Sequence, residues 1–164
     1  MTEHKIKTLR QLKKTIPSLK RQKKKIVFTN GCFDILHYGH LKYLEAAKKL
    51  GDILIVAVNS DSSVKRIKGK KRPLNNETAR MALIAGFECV DYCLLFRENT
   101  PHCLIKELKP DVLAKGGDWS KEDIVGYEFV EDRGGEVITI NFVRGYSTTE
   151  LIKKIIKIEK KYRL

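Results

Sequence analysis

Apolar residues along the chain follow two alternating spacings. Short, nearly continuous apolar runs are typical of strands in a sheet covered on both faces, whereas apolar residues three and four positions apart are typical of helices. The strand pattern occurs over residues 26–30, 53–59, 91–96, 111–114 and 137–140, and the helix pattern occurs over residues 8–19, 40–50, 61–67, 76–86, 101–108, 124–133 and 148–162. Because strands that alternate with helices form βαβ units, we predict an α/β protein with a parallel five-stranded sheet and helices on both faces.

The N-terminal segment differs from the rest of the chain. Apolar residues at helical spacing predict a short helix before residue 20, because Pro17 disfavours a longer one, and residues 20–25 form a basic linker. We therefore divide the chain into a basic N-terminal helix and linker, residues 1–25, and a main domain, residues 26–164. A chain of 164 residues is long enough for one such domain with a sizeable core.

The formal net charge of +13 is concentrated at the two ends of the chain. Residues 1–25 hold ten Lys and Arg residues against Glu3 alone, and residues 153–164 hold six against Glu159. Such clusters can bind nucleic acid or a membrane surface. No nucleic-acid motif is present, and aromatic residues do not interleave the basic ones. We therefore interpret the clusters as solvated helix faces that attract anionic substrates, and we predict neither a nucleic-acid nor a membrane partner.

The four cysteines form no C-x-x-C pair and have no histidine partners at zinc-finger spacing, so we expect reduced thiols rather than metal ligands. No apolar run approaches the roughly 20 residues that span a bilayer. The lysine-rich start of the chain lacks the apolar stretch of a secretion signal. These observations predict a cytoplasmic protein.

The strongest candidate for chemistry is the turn between the first strand and the next helix, Asn30-Gly31-Cys32-Phe33-Asp34-Ile35-Leu36-His37-Tyr38-Gly39-His40. A helix N-terminus and its free backbone N–H groups can hold an anion. His37 and His40 can both donate hydrogen bonds to phosphate oxygens, and Gly39 lets a phosphate approach the backbone. Alternatively, the two histidines have no ligand and form hydrogen bonds only with the nearby backbone.

A second phosphate-binding candidate lies late in the chain, at Ser147-Thr148-Thr149. Ser147 and Glu150 have the spacing of a capping box at the start of the last helix. A hydroxyl-rich helix N-terminus is also a cradle for phosphate, so capping and binding are compatible.

Two loops complete the set of candidates. The basic loop of residues 68–73, with Arg80 on the following helix, can neutralise a triphosphate or be merely a solvated loop. The segment Lys115-Gly116-Gly117-Asp118-Trp119 follows the fourth strand directly, where ligands of parallel sheets bind, although a plain turn is the alternative. Trp119 can stack on a ring.

These motifs, spread over residues 26–156, together resemble those of the bacterial heptose-1-phosphate adenylyltransferases, within the cytidylyltransferase-like nucleotidyltransferase superfamily. The His-x-Gly-His turn alone identifies only the superfamily. Cys32 stands where many cytidylyltransferases have threonine, and this cysteine is usual in the heptose branch. The chain resembles the separate form of these enzymes, which also occur fused to a sugar kinase. The resemblance implies a Rossmann-like fold of the His-x-Gly-His type.

The resemblance also implies a reaction in which ATP and a heptose 1-phosphate give ADP-heptose and pyrophosphate, for lipopolysaccharide or another cell-surface heptose. Catalysis would then involve His37, His40 and Lys68, with Mg²⁺ bridging the triphosphate and held by few protein ligands. The nucleotide would contact Asn30, Gly31, Cys32, Phe33, Gly39, Arg72, Arg80, Ser147, Thr148 and Thr149. The sugar phosphate would lie near Asp34, Lys115, Gly116, Asp118 and Trp119, with Asp34 orienting the turn rather than acting as a base. A homodimer or larger homo-oligomer, and a separate heptose kinase as partner, are further implications.

Two other functions remain open from the sequence. A cytidylyltransferase that uses CTP with glycerol 3-phosphate or a phosphoamino-alcohol would need the same turns, because the side chains do not reveal the base. A nucleotide-sensing or nucleic-acid-binding module could use the basic ends without turnover, and would show binding that weakens steeply with salt.

Overall fold

A computed structural model describes residues 2–117 and 119–162 of the chain. Its five strands all run parallel in the order β3-β2-β1-β4-β5. They are β1 (Ile26–Gly31), β2 (Ile53–Asn59), β3 (Tyr92–Phe96), β4 (Val112–Gly116) and β5 (Glu136–Ile140). The predicted five-stranded parallel sheet is therefore confirmed.

Helices cover both faces of this sheet. They are α1 (Leu9–Arg21), α2 (Tyr38–Lys48), α3 (Asp61–Lys68), α4 (Glu77–Gly86), α5 (His102–Leu108), α6 (Tyr127–Glu131) and α7 (Thr148–Tyr162). Successive strand residues point to opposite faces, so Ile26 and Phe28 of β1 enter one core cluster and Val27 enters the other. The first cluster contains apolar residues of α1, α5 and α6, and the second contains those of α2 and α4.

The helix α1 is longer than its sequence predicts. It continues through Pro17 to Arg21, so Lys20 and Arg21 belong to the helix and not to the linker. Proline inside a helix removes one hydrogen bond, at a cost of about 3 kcal/mol. Leu12 and Ile16 of α1 are buried in the core, and this packing holds the helix together despite the proline. The division of the chain at residue 26 stays a prediction.

The order of the strands decides where a ligand can bind. From β1 the chain moves outward through β2 and β3, then returns to the other side of β1 for β4 and β5. The carboxyl ends of β1 and β4 are therefore neighbours at the point where the winding reverses, which is where open α/β sheets bind their ligands. Among the described residues, no helix is long and apolar enough to cross a membrane.

Candidate active site

The two histidines of the first turn lie together at the start of α2. His37 is the N-cap residue of this helix, and His40 lies in its first turn. Their rings are 3.9 Å apart between centroids, with an angle of 31° between the planes. Nδ1 is buried in both rings and has no hydrogen-bond partner within the described part of the chain. Because buried polar atoms are normally paired, these two nitrogens are exceptions that call for a functional explanation, and both lie at a helix N-terminus.

Burial controls the charge of these rings. Desolvation, together with the smaller effect of the like charge on the neighbouring His37, lowers the pKa of His40 to about 4. Desolvation also lowers the pKa of His37. His40 is therefore neutral at pH 7 in the free protein, and a bound phosphate would favour its protonated form because opposite charges attract.

The stabilisation that His40 contributes to the fold is expected to depend on pH. Its pKa is about 4 in the folded state and near 6.5 in the unfolded chain, so the unfolded state binds more protons between these values. The contribution is complete above pH 6.5 and is lost as the pH falls to about 4. It amounts to about 2 to 3 kcal/mol, since one pKa unit corresponds to about 1.4 kcal/mol and the ring keeps some solvent contact.

Urea unfolding of the wild type and the variant His40→Asn measures this effect. Between pH 7 and pH 4, the free energy of unfolding of the wild type is expected to fall by that amount more than that of the variant. A difference that does not change with pH would show that His40 has an ordinary pKa in the folded protein.

The second helix N-terminus lies beside the first one. The Ser147 hydroxyl accepts a hydrogen bond of 3.1 Å from the backbone N–H of Glu150 and so caps α7. The rings of Tyr38 and Tyr146 pack at 5.0 Å between centroids. Gly39 lies close to this loop as well, because a Cβ atom on it would be 3.1 Å from the Tyr146 carbonyl oxygen. The turn of residues 147–149 therefore borders the histidine turn, as the phosphate-binding interpretation requires.

Gly39→Ala is expected to lower kcat by roughly tenfold or more, following the scale of small misplacements of catalytic groups. The added methyl group would be 3.0 Å from Nδ1 of His37 and 3.1 Å from the Tyr146 oxygen, so it would push apart the two turns. Steady-state kinetics measures the change. Gly86→Ala is the matched control, because it adds a methyl group that meets nothing within 4 Å at the end of a helix. Its activity should be unchanged, and equal losses in both variants would contradict the role of Gly39.

The basic loop between α3 and α4 is tied to the histidine turn by Asp34. Oδ1 of Asp34 accepts hydrogen bonds from the backbone N–H groups of Leu74 and Asn75, at 2.8 and 2.9 Å. Its Oδ2 forms an ion pair of 2.7 Å with Nε of Arg72. Asp34 is 5% exposed; Oδ1 accepts the two backbone hydrogen bonds, whereas the contact of Oδ2 with Arg72 is an ion pair without a hydrogen bond. Asp34 therefore orients the basic loop, and its predicted place near the sugar phosphate stays a prediction.

The other basic residues of this region differ in their exposure. Lys68 is the last residue of α3, and its side chain is exposed. Burial raises the pKa of the Cys32 thiol, and the nearby charges of Lys68 and Arg80 partly oppose this rise. Arg80 is fully buried, and its three hydrogen bonds to the protein leave it no exposed donor for a nucleotide. The exposed side chain of Lys68 is accessible to a ligand, and the phosphate contacts predicted for Lys68 and Arg72 stay predictions.

The end of β4 provides the other wall of the site. Lys115 and Gly116, expected in a loop, are the last residues of the strand. Lys115 Nζ donates a hydrogen bond of 3.2 Å to Oδ1 of Asn30, so it joins the adjacent ends of β4 and β1. Burial lowers the pKa of Lys115. Trp119 is 54% exposed, whereas Asp118 lies outside the described residues, so its predicted contact stays a prediction.

Two aromatic residues belong to the site although the sequence did not single them out. Phe142 lies over the glycines at the end of β4, since a Cβ atom on Gly117 would be 2.9 Å from its ring. Its ring is 67% exposed, an arrangement suited to stacking. Tyr43 shares a 2.5 Å hydrogen bond with Thr29 and donates one of 3.2 Å to the Ala114 carbonyl, which fixes α2 to β1 and β4. Burial raises the pKa of Tyr43 to about 12. The sequence pattern that could have indicated Phe142 is an aromatic residue directly after the last strand.

Residues 28–154 match the family model described as cytidylyltransferase-like. The chain belongs to this family. A protein named bifunctional protein HldE, from Citrifermentans bemidjiense, is 53% identical over 155 residues, which cover 94% of this chain and 32% of that protein. The protein of the same name from Haemophilus ducreyi is 56% identical over 148 residues, 90% of this chain and 31% of that one. The chain thus spans about a third of the length of the curated relatives it matches.

Solved structures agree with this assignment. The lipopolysaccharide core biosynthesis protein from Thermoplasma volcanium is similar, with a TM-score of 0.62 and 31% identity, over 76% of this chain and 99% of that one. Pantothenate synthetase from Thermus thermophilus has a TM-score of 0.57 at 17% identity, over 85% of this chain and 62% of that one, and supports the fold alone. The predicted Rossmann-like nucleotidyltransferase fold and family are therefore confirmed, and the individual site roles stay predictions.

Proposed function

We propose that this protein transfers AMP from ATP to a heptose 1-phosphate, giving ADP-heptose and pyrophosphate. The observation that carries the proposal is the pair of closely packed histidine rings at the N-terminus of α2, whose buried Nδ1 atoms have no partner within the described part of the chain. A helix N-terminus with free polar side chains is suited to phosphate. The resemblance of the motifs to the heptose branch and the identity to proteins named HldE support the choice of substrates.

The reaction needs no protein nucleophile. An oxygen of the sugar phosphate attacks the α-phosphorus of ATP in line, the new O–P bond forms, and the bond from the α-phosphorus to the bridging oxygen breaks as pyrophosphate leaves. Catalysis therefore consists of positioning and charge stabilisation. His37 and His40 donate hydrogen bonds to the α- and β-phosphate oxygens, where negative charge increases in the transition state.

The remaining residues hold the two substrates around this centre. Lys68, Arg72 and the turn of residues 147–149 bind the β- and γ-phosphates. Lys115 lies at the junction of β1 and β4 and attracts the sugar phosphate, and Trp119 borders the same end of β4. Asp34 keeps Arg72 and the basic loop in place.

Mg²⁺ with ATP is part of the proposal. Within residues 2–117 and 119–162, no group of three or more His, Cys, Asp and Glu side chains could hold a metal ion. The ligands of Mg²⁺ with nucleotides are usually phosphate oxygens and water, with few from the protein. When bound, it would neutralise charge on the triphosphate, and the protein would hold the complex through the phosphates.

We also infer a homodimer or larger homo-oligomer in the cytoplasm, with a separate heptose kinase supplying the sugar 1-phosphate. The exposed apolar side chains of α7 support the oligomer, since Ile155, Ile156 and Ile158 are 55%, 48% and 57% exposed. Light scattering coupled to gel filtration tests this inference, and a monomer at micromolar concentration would contradict it.

Pyrophosphate release with Mg²⁺ tests the function. ATP and CTP are each combined with heptose 1-phosphate and with glycerol 3-phosphate. Release only from ATP with the heptose phosphate is expected. Release from CTP with glycerol 3-phosphate would support the cytidylyltransferase alternative and reject the proposed substrates. Release from none of the pairs, together with salt-dependent binding to DNA or RNA, would support the binding-module alternative.

A further inference from the structure

The buried guanidinium group of Arg80 connects three separate segments around the site. Nη1 donates a hydrogen bond of 2.6 Å to the carbonyl of Cys32, Nε donates one of 3.0 Å to the carbonyl of Asn75, and Nη2 pairs with Oδ1 of Asp61 at 2.8 Å. Arg80 is fully buried, and it is the largest fully buried side chain among the described residues. A buried charge is costly unless it is fully paired, so such an arrangement requires a strong structural or functional reason.

We propose that Arg80 is a positioning residue that sets the conformation of the histidine turn through the Cys32 carbonyl. The inference rests on the proposed function, because it concerns the same site. The sequence predicts a nucleotide contact for Arg80, whereas its burial and its contacts assign it this different task.

The contact with Cys32 acts on a strained position of the turn. The carbonyl of Cys32 belongs to the peptide group that precedes Phe33, and its orientation helps to set the φ angle of Phe33. That angle is +48°, in the left-handed region, which is strained for a residue other than glycine. The hydrogen bond from Arg80 offsets this strain by holding the peptide group in place.

Phe33 transmits this geometry to the histidines. Its ring meets His40 edge-to-face, at 5.5 Å between centroids, and it is only 5% exposed. The Phe33 ring also lies close to Gly31, where a Cβ atom would be 2.9 Å from it. The position of the Phe33 ring therefore determines part of the packing that buries His40.

The other two contacts connect Arg80 to the elements that carry the basic residues. Asn75 also donates hydrogen bonds to Asp34, from its backbone N–H and its side chain, so Arg80 and Asp34 hold the same loop from two directions. Asp61 is the first residue of α3, whose last residue is Lys68. The planar guanidinium, with donors in a fixed fork, can satisfy the three acceptors together, whereas a lysine ammonium is a single point charge.

The variant Arg80→Lys tests the proposal with two independent measurements. Loss of the fork should loosen the Phe33 packing, so the pKa of His40 is expected to rise by about one unit toward its ordinary value. An NMR titration of the histidine ring protons follows this change in the absence of substrate. In the activity assay kcat is expected to fall roughly tenfold or more, while KM for ATP changes by less than about threefold.

Two further variants make the test decisive. Arg66→Lys is the matched control, since Arg66 is an exposed arginine on α3 whose contacts are with Asn99 and the Arg97 carbonyl, and both measurements should be unchanged. Asp61→Asn keeps the size of the side chain, removes the charge that pairs with Arg80, and should shift both measurements in the same direction by less. If Arg80→Lys does not fold, the two measurements on Asp61→Asn test the positioning role of Arg80.

A raised KM for ATP with an unchanged His40 titration would overturn the proposal and indicate a nucleotide contact. The NMR measurement needs no turnover, so a shifted His40 pKa without pyrophosphate release from any substrate pair would retain the positioning role and reject only the proposed reaction.

Discussion

His40→Ala is expected to lower kcat by about a hundredfold or more while the protein stays folded. This is the scale on which enzymes lose activity when one donor to a developing negative charge is removed. The His40 ring packs against that of His37, with 3.9 Å between the centroids, and its Nδ1 is buried without a partner among the described residues, so replacing the ring breaks no hydrogen bond of this atom. Pyrophosphate release under saturating ATP and sugar phosphate measures the change, and circular dichroism checks the fold.

The matched control for this variant is His102→Ala. His102 begins α5 and is exposed, and it belongs to none of the predicted site motifs. Its removal should leave kcat within about twofold of the wild type. A His40→Ala enzyme that keeps nearly normal kcat would rule out charge stabilisation by this histidine. Equal losses in the two variants would point to a general effect on the protein instead.

Asp34→Ala is expected to give the largest loss of stability, about 3 to 5 kcal/mol, because it leaves Arg72 without its buried partner. The Asp34 side chain is 4% exposed, and its carboxylate also accepts the backbone N–H groups of Leu74 and Asn75. Alanine would remove all three interactions at once. Urea unfolding measures the change in free energy, and activity should fall with it because the basic loop loses its anchor.

Two variants accompany this measurement. Asp34→Asn keeps an oxygen that can accept the two backbone hydrogen bonds and loses only the charge, so its stability should be intermediate. Glu107→Ala removes an acidic residue of an exposed ion pair with Lys13, where solvent screens the charges, and it should change the free energy of unfolding very little. Equal stability of Asp34→Ala and Glu107→Ala would contradict the anchoring role of Asp34.

The local patterns of the chain predict the strands and most helices correctly. The apolar run of residues 53–59 predicts a strand with the same bounds that the structure has. Such runs identify a strand clearly, because a central parallel strand is buried on both faces and nearly all of its residues are therefore apolar. The predicted helix over residues 124–133 is too long, since α6 covers only Tyr127–Glu131 after Gly126 adopts a φ of +94°. Helix ends depend on single turns, which the apolar pattern does not specify.

Pro17 shows how packing changes a local preference. The sequence around Pro17 predicts a helix that ends early. In the structure α1 continues to Arg21, because Leu12 and Ile16 are buried against the core. Packing of an apolar face contributes more to a helix than the propensity of a single residue does. No local pattern contains that information, because the partners of α1 lie about 90 positions further along the chain, on α5.

The α/β class, the parallel sheet and the turns that face its carboxyl edge can all be derived from the order of the residues. These features follow from local periodicity and from the glycines, histidines and hydroxyl residues of single turns. The roles of chemically similar side chains, in contrast, depend on their burial and contacts in the tertiary structure. Lys68 is exposed, Arg72 pairs with Asp34, and Arg80 is fully buried, although all three lie within residues 68–80. Burial and hydrogen-bond partners come from segments that are distant in the chain, so charge and spacing alone cannot separate a residue that binds phosphate from one that positions the site.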